Sequence, residues 1–481
     1  MRGGGWGEIV GGIDPKTVAI SPEPGMVRLP NGTYLDRRPP MAMIPQSPLF
    51  SWEEIEDLRD LERLRLVLEW LPDEPLMRHL EADRGRGRNE YPIRAVWNSL
   101  LAGVVFQHVS TESLRRELQR NAALRQACGF DPMKGQDAVP PAWAYTRFLG
   151  TLLAHAAEID ALFDDLVERL RAALPEFGRA LAVDGKALRT HARPWKKEAP
   201  VPPADGRRDT DADFGRKTQR GKHPDGKAWE KVTTWFGYRV HLVVDATYEL
   251  PVAYEVTKAS AGEAPEARKL LDGLKARHPA LVETCGVWLG DKGYDDGQMI
   301  RRLWDDDGIQ PVIDIKAMWK EPDETRVLPG RRRIVYNQQG EVLCHCAATG
   351  VVRRMAYGGF EAKRGTQKFR CPAVHYGVQC AGRSSCEVKG SVRVPLTVDR
   401  RIFTPLARAS YAWKRTYKKR TTVERVNSRL DVSFGFEQHF IRGRKKMGLR
   451  MGLALVVMLG MAYGRLKEKQ GEKLRSLVAA A

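Results

Sequence analysis

Hydrophobic positions change their period along this chain, and the changes divide it. After SWEE, whose Ser51 and Glu54 have the Ser-x-x-Glu form of a capping box, Ile55, Leu58, Leu61, Leu64 and Leu68 recur at helical spacing. An amphipathic helix is predicted there. Past the Gly- and Arg-rich connector ADRGRGRNE, the stretch YPIRAVWNSLLAGVVFQ opens at Pro92 and is too apolar to be exposed on any wide face, which predicts a central helix. STESLRRELQRN predicts a shorter helix with Arg115, Arg116 and Arg120 outward, and PPAWAYTRFLGTLLAHAAEIDALFDDLVERLRAAL predicts two more. Residues 51–175 are therefore expected to form an all-α domain, behind a Gly- and Pro-rich leader, 1–50, with no sustained period.

From residue 176 the pattern becomes β-like. RALAVDGKAL is a short apolar run ending on an acid, and YRVHLVVDATYELPVAYEV reads as two β-branched strands joined by a turn. ALVETCGVWLGDKGYDD and GIQPVIDIK supply two more strands, separated by helical patterns over 264–277 and 297–304. Paired strands followed by strands alternating with helices predict an α/β core, a mixed sheet covered by helices, over 176–317. The polar segment 194–231 is expected to be a flexible loop, 318–398 an inserted small fold, and 399–481 helices that return to the sheet. His241 and Asp245 lie on the second strand, where a core histidine is the ordinary case.

Charge narrows the partners. Lys and Arg total 79 against 60 acids, a net charge of +19, which suits a polyanion such as nucleic acid better than a small acidic metabolite. The first residues lack a basic start followed by an apolar core, and the apolar run 451–463, closed by Arg450 and Arg465, falls short of a membrane span. A cytoplasmic protein without a membrane partner is expected. Of seven cysteines, five crowd into the insertion. Cys346, Cys371, Cys380 and Cys386, with Cys344, His345 and His375 beside them, exceed the four ligands of a structural Zn²⁺, although no C-x-x-C pair is present. The alternative is a set of reduced, partly buried thiols.

Three acids stand out by position: Asp184 ends the first strand, Asp291 follows the fourth, and Glu424 lies on a late helix. Each alone reads as a turn former, a cap or a surface ion pair. Together, in so basic a chain, they suit two divalent ions running phosphoryl transfer, which need hard carboxylates far apart in sequence and convergent in space. In YKKRTTVERVNSRLDVSFG, Tyr417, Arg420 and Glu424 follow i, i+3, i+7 and share a helical face, joining an acid for metal to an Arg fork for phosphate.

The spacing Tyr417-x-x-Arg420-x-x-x-Glu424, with Asp184 in AVDGKAL and Asp291 in GDKGYDD, resembles the DDE transposases of bacterial insertion sequences that carry a Tyr-Arg-Glu-Lys signature. The N-terminal helical stretch is similar to the domain that precedes their catalytic core. The resemblance implies an RNase H-like core, Mg²⁺ or Mn²⁺ held as two ions by Asp184, Asp291 and Glu424, and double-stranded DNA as partner, both terminal inverted repeats and target. It also implies strand cleavage followed by strand transfer, and two copies of the chain acting on two ends. One position departs from the signature: its Lys falls on Asp431. Arg429, or the run Arg442, Arg444, Lys445 and Lys446, is expected to compensate, and Asp431→Lys to strengthen end binding or cleavage. Two other readings stay open: a degenerate or domesticated copy that binds DNA without cutting, and a metal-dependent nuclease that cuts structured nucleic acid without strand transfer.

Overall fold

The computed structural model describes residues 26–28, 34–36, 59–85, 90–194, 209–223, 225–319, 321 and 323–475. The capping box at Ser51 lies outside them. Two compact units are present, residues 1–43 and 44–481. Within the first, β1 (Met26–Arg28) and β2 (Tyr34–Asp36) pair antiparallel, so the leader contains a short ribbon that no hydrophobic period announced.

Among the described residues the second unit begins with seven α-helices: α1 (Arg59–Trp70), α2 (Glu74–Arg84), α3 (Ile93–Val105), α4 (Thr111–Arg120), α5 (Ala122–Cys128), α6 (Ala142–Ala154) and α7 (Ala156–Ala173). Local chemistry sets several of their ends. Ser110 accepts from the Ser113 amide at 3.1 Å to cap α4, and Asn121 does the same for Leu124 at the start of α5. Arg115 does not point outward as expected. Its guanidinium donates to the Pro140 carbonyl at 2.8 Å, tying α4 to the next segment, whereas Arg116 and Arg120 are exposed.

A six-stranded sheet follows, built from β3 (Ala180–Arg189), β4 (Asp213–Lys222), β5 (Ala228–Asp245), β6 (Pro251–Lys258), β7 (Val287–Gly290) and β8 (Gln310–Ile313). β5 pairs antiparallel with β3 and β6, while β3, β7 and β8 run parallel. Leaving β4 aside, the spatial order is β6-β5-β3-β7-β8. Helices α8 (Glu263–Arg277), α9 (Pro279–Thr284) and α10 (Gly297–Arg301) fill the crossovers.

The segment expected to be a flexible loop is partly the opposite. Residues 213–222 pair with 228–237 in an antiparallel ribbon that extends the sheet at the first half of β5. Most of its described side chains are exposed, so it has no buried face and therefore no apolar alternation for sequence reading to detect.

Beyond β8 come seven short strands: β9 (Thr325–Val327), β10 (Ile334–Asn337), β11 (Val342–His345), β12 (Val352–Arg354), β13 (Ala356–Glu361), β14 (Thr366–Arg370) and β15 (Ser391–Pro395). They make a four-stranded and a three-stranded antiparallel sheet around a separate core that includes Leu328, Tyr336, Val342, Phe369 and Val394. Between β14 and β15 lies α11 (Pro372–His375). The chain closes with α12 (Tyr411–Tyr417), α13 (Thr421–Phe434) and α14 (Arg444–Lys467).

α14 is the only helix among the described residues long and apolar enough to cross a membrane, longer than the run suggested, yet 89% of its apolar window is buried inside the protein. It packs on α7 and α1 as well as β6. One continuous core thus joins Leu64, Trp97 and Leu166 of the helical region to Val183, Val243 and Leu455, and the N-terminal helices do not stand apart from the sheet.

Candidate active site

Strand register brings the first two acids together. β3 and β7 are parallel with Leu181 opposite Trp288 and Ala182 opposite Leu289, so two residues further on Asp184 stands opposite Asp291. The backbone of Asp291 is still extended (φ −81°, ψ −175°), and neighbouring strands lie about 4.8 Å apart. By the same count Gly290 pairs with Ile313, which sets Asp314 beside Asp291. Asp291 and Asp314 thus lie just past the carboxyl ends of β7 and β8, while Asp184, expected to end its strand, stands midway along β3, which runs on to Arg189 because it stays paired with β5.

Burial first, and then the negative charge of Asp291, push the Asp184 carboxyl up to about 6. The Gly185 amide and the charges of Lys217 and Arg420 hold it back. Asp291 also does what its bland reading foresaw: its side chain accepts from the Gly293 amide at 2.7 Å and caps the following turn. Turn former and charge partner of Asp184 are compatible roles.

Glu263, at the first position of α8, is a fourth acid in the site, and the sequence reading passed over it. Its carboxylate accepts from Arg239 at 3.0 Å, and a Cβ built on Gly293 would meet Glu263 Oε2 at 1.7 Å. A side chain there would push the Glu263 carboxylate aside. Burial and the Asp291 charge raise the Glu263 carboxyl, while Arg239, Lys217 and Lys316 oppose them. No motif marks Glu263. It follows a strand at a helix start, and only the packing of α8 against the sheet carries it to the aspartates. Asp314 was equally invisible as a site residue, although its strand was predicted.

Glu424 reaches this cluster through Arg420. The guanidinium, 16% exposed, donates to Glu424 Oε1 at 2.7 Å while Glu424 itself is 51% exposed. The charge of Arg420 also acts on Asp184, and the turn that carries it touches β3 and β7. Tyr417 stacks on Trp413 with ring centroids 4.7 Å apart and lies under the Arg420 guanidinium. Burial, followed by the Asp314 charge, pushes its hydroxyl up to about 12.

The other predicted contacts are elsewhere. Arg429 is not directed at the acids: it bonds the carbonyl and carboxylate of Glu249, in the turn between β5 and β6, and is mostly buried there. It is a packing residue, because the buried Glu249 needs a cation. Arg442, Arg444, Lys445 and Lys446 are exposed at the start of α14. The Ile441 carbonyl accepts from the His191 amide, which puts this run past the far end of β3, about 20 Å along the strand from Asp184. Among the described residues no bond joins them to Asp431. That place is filled by Lys186, whose ammonium donates to Asp431 at 2.6 Å and Glu437 at 3.0 Å. Asp295 and Asp296 are held by Arg401 and Arg268, and Asp245 accepts three backbone amides, from Gly178, Thr247 and Tyr248. His241 is fully buried, and burial lowers its ring to about 4.

Among the described residues, no three His, Cys, Asp or Glu side chains already form a closed ligand set for one ion. The donor chemistry nevertheless fits a hard dication. Burial and the Asp291 charge both oppose ionisation of Asp184, and a divalent ion relieves that repulsion.

With this geometry in hand, the comparisons are direct. The family model described as "Transposase DDE domain" matches residues 175–459, and a second, described as a transposase domain, matches residues 50–149. No curated protein matches the chain.

Proposed function

The chain belongs to the DDE transposase family, and from that membership we propose that it binds the double-stranded ends of its own mobile element, cuts them, and joins the freed ends to target DNA. The observation that carries this reading is the opposition of Asp184 and Asp291 across β3 and β7 within reach of the Arg420 charge. The strand order β6-β5-β3-β7-β8, with β5 antiparallel, supports an RNase H-like core, in which strands one to five stand in the order 3-2-1-4-5.

Asp184 and Asp291 would hold Mg²⁺ or Mn²⁺, with Glu424 as third ligand. Two such ions, when bound, supply Lewis-acid activation of the attacking oxygen and neutralise charge at the phosphate. The chain's own residues do the rest. Arg420, now bonded to Glu424, offers a planar fork to a phosphate oxygen, and engaging DNA frees the Glu424 carboxylate for the site. Tyr417 and Trp413 fix the approach of Arg420. In the first step water attacks the scissile phosphodiester and the 3′ oxygen leaves, taking a proton. In the second that 3′-OH attacks target DNA and another 3′ oxygen leaves. The basic ribbon β4–β5 has the form that the major groove admits, and the charge of Lys217, midway along it, acts on Asp184 and Glu263. Two ends require two such centres, so a homodimer on DNA follows.

The Arg420–Glu424 pair also suits a copy that binds ends without cutting. Labelled element ends incubated with purified protein and Mg²⁺ or Mn²⁺ separate the two. Nicking by the wild type, lost in Asp184→Asn, Asp291→Asn and Glu424→Gln, supports transposition. Salt-sensitive end binding without nicking leaves the binding protein, and nicking without strand transfer leaves the nuclease.

A further inference from the structure

The insertion gathers thiols that the DNA chemistry does not use. Cys344, Cys346, Cys371, Cys380 and Cys386 all line one cavity of about 20 Å³, room for a single ion, with Met355 and Val388 among its other walls. They come from three places in the sequence: β11 and the turn after it, the start of α11, and the link between α11 and β15. None is in a disulfide, and Cys346 Sγ lies 3.9 Å from Cys380 Sγ. Two sulfurs on one tetrahedral Zn²⁺, with bonds of about 2.3 Å, are separated by about 3.8 Å.

Backbone amides are aimed at these sulfurs. Ala348 and Thr349 donate toward Cys346, and so does Gly382, which also donates toward Cys380. The Val388 amide donates to Cys386 Sγ at 3.4 Å. Cys346, Cys380 and Cys386 thus each have an amide two residues on turned back to the sulfur. Gly382 is required for it, since a Cβ there would meet Cys346 Sγ at 2.9 Å. Cys344 differs. It sits inside the β10-β11-β12 ladder, opposite Ile334 and Arg353, and its neighbourhood is committed to strand pairing.

We infer that this insertion binds one thiophilic divalent ion, Zn²⁺, through Cys346, Cys371, Cys380 and Cys386, with Cys344 as a wall of the site. On binding, the four thiols become thiolates and release their protons to solvent. The ion would tie the turn after β11 to the start of α11 and to the α11–β15 link within the insertion.

The full chain, purified under reducing conditions and dialysed against metal-free buffer, is expected to retain about one Zn²⁺ by elemental analysis. Titrating its thiols with a mercurial should release that ion to a colorimetric chelator, and Co²⁺ exchange should give the intense visible bands of a tetrahedral thiolate site. Cys346→Ser and Cys380→Ser should each lower retention at least fivefold, and Cys344→Ser should leave it unchanged. Less than about 0.2 ion per wild-type chain, with no Co²⁺ spectrum, overturns the site; loss in Cys344→Ser with retention in Cys371→Ser or Cys386→Ser overturns the ligand set. The wild-type measurements decide the first point even where a variant fails to fold.

Discussion

Lys186 Nζ donates to Asp431 Oδ2 at 2.6 Å, across 245 residues of sequence. Lys186 is two residues beyond Asp184 on β3, so its side chain leaves the same face of the strand. Asp431 occupies the α13 position where the resemblance places a lysine. A lysine does stand beside this position, delivered by the strand rather than the helix, and the acid anchors it. This reverses the expectation for Asp431→Lys. That substitution would set two ammonium groups together in a partly buried place and leave Glu437 alone to balance them. It should lower stability by about 1–3 kcal/mol without raising end binding. The exchange Lys186→Asp with Asp431→Lys should recover most of the loss in a thermal-unfolding double-mutant cycle. Tighter end binding by Asp431→Lys alone would sink this account.

Arg420 should matter to chemistry more than to folding. Arg420→Ala removes a phosphate fork and releases Glu424, and end cleavage should fall about 100-fold, the scale for losing one placed donor. Arg420→Lys should recover only part, because one ammonium cannot reproduce two parallel bonds. Single-turnover cleavage at saturating DNA reads this directly. Equal loss in end binding and no change in the cleavage rate constant would return Arg420 to simple DNA attraction.

His278 links stability to pH. Burial lowers its affinity for a proton, but bonds to Asp164 at 3.0 Å and Glu168 at 2.6 Å outweigh burial, and its pKa is raised. A raised folded value means that the stabilisation is complete below the unfolded value, about 6.5, and is lost as pH rises through the folded one. His278→Gln should therefore cost about 1–3 kcal/mol near pH 5.5 and less near pH 9. Denaturant midpoints at the two pH values test the sign, and a cost that grows with pH would contradict it.

The ribbon depends on Gly237. Its φ of +150° and the Leu188 carbonyl, 2.2 Å from where a Cβ would sit, exclude any side chain at the point where β5 leaves β6 for β4. Gly237→Ala should destabilise by about 3 kcal/mol or more, and thermal unfolding should show it at once.

Ribbon cations give a salt test. If Arg216 and Lys217 each neutralise a phosphate, replacing both with Ala should reduce the slope of log K against log salt by about 2, with little change in sequence preference. An unchanged slope would place the DNA elsewhere.

Sequence by itself determined the local elements and three of the acids. Apolar spacing of 3.6 or 2 reports which face of a segment is buried, so α3, α4, α8 and β6 were legible within a residue or two, whereas β3 runs on to Arg189 past the acid expected to end it and β5 begins at Ala228, well before the apolar stretch that announced it; Asp184 and Asp291 stood out because apolar runs stop on them. The family signature named Arg420 and Glu424 with them. Period carries no message where a segment has no buried face, which is why the ribbon read as a loop. Nor does it say which distant charges meet. Only the parallel register of β3, β7 and β8 sets Asp314 beside Asp291, only the return of α8 brings in Glu263, and only the packing of α13 on β3 joins Asp431 to Lys186. Strand pairing makes the first of these meetings and helix packing the other two, the last across 245 residues of sequence, and a charge's partner is decided there rather than by its neighbours along the chain.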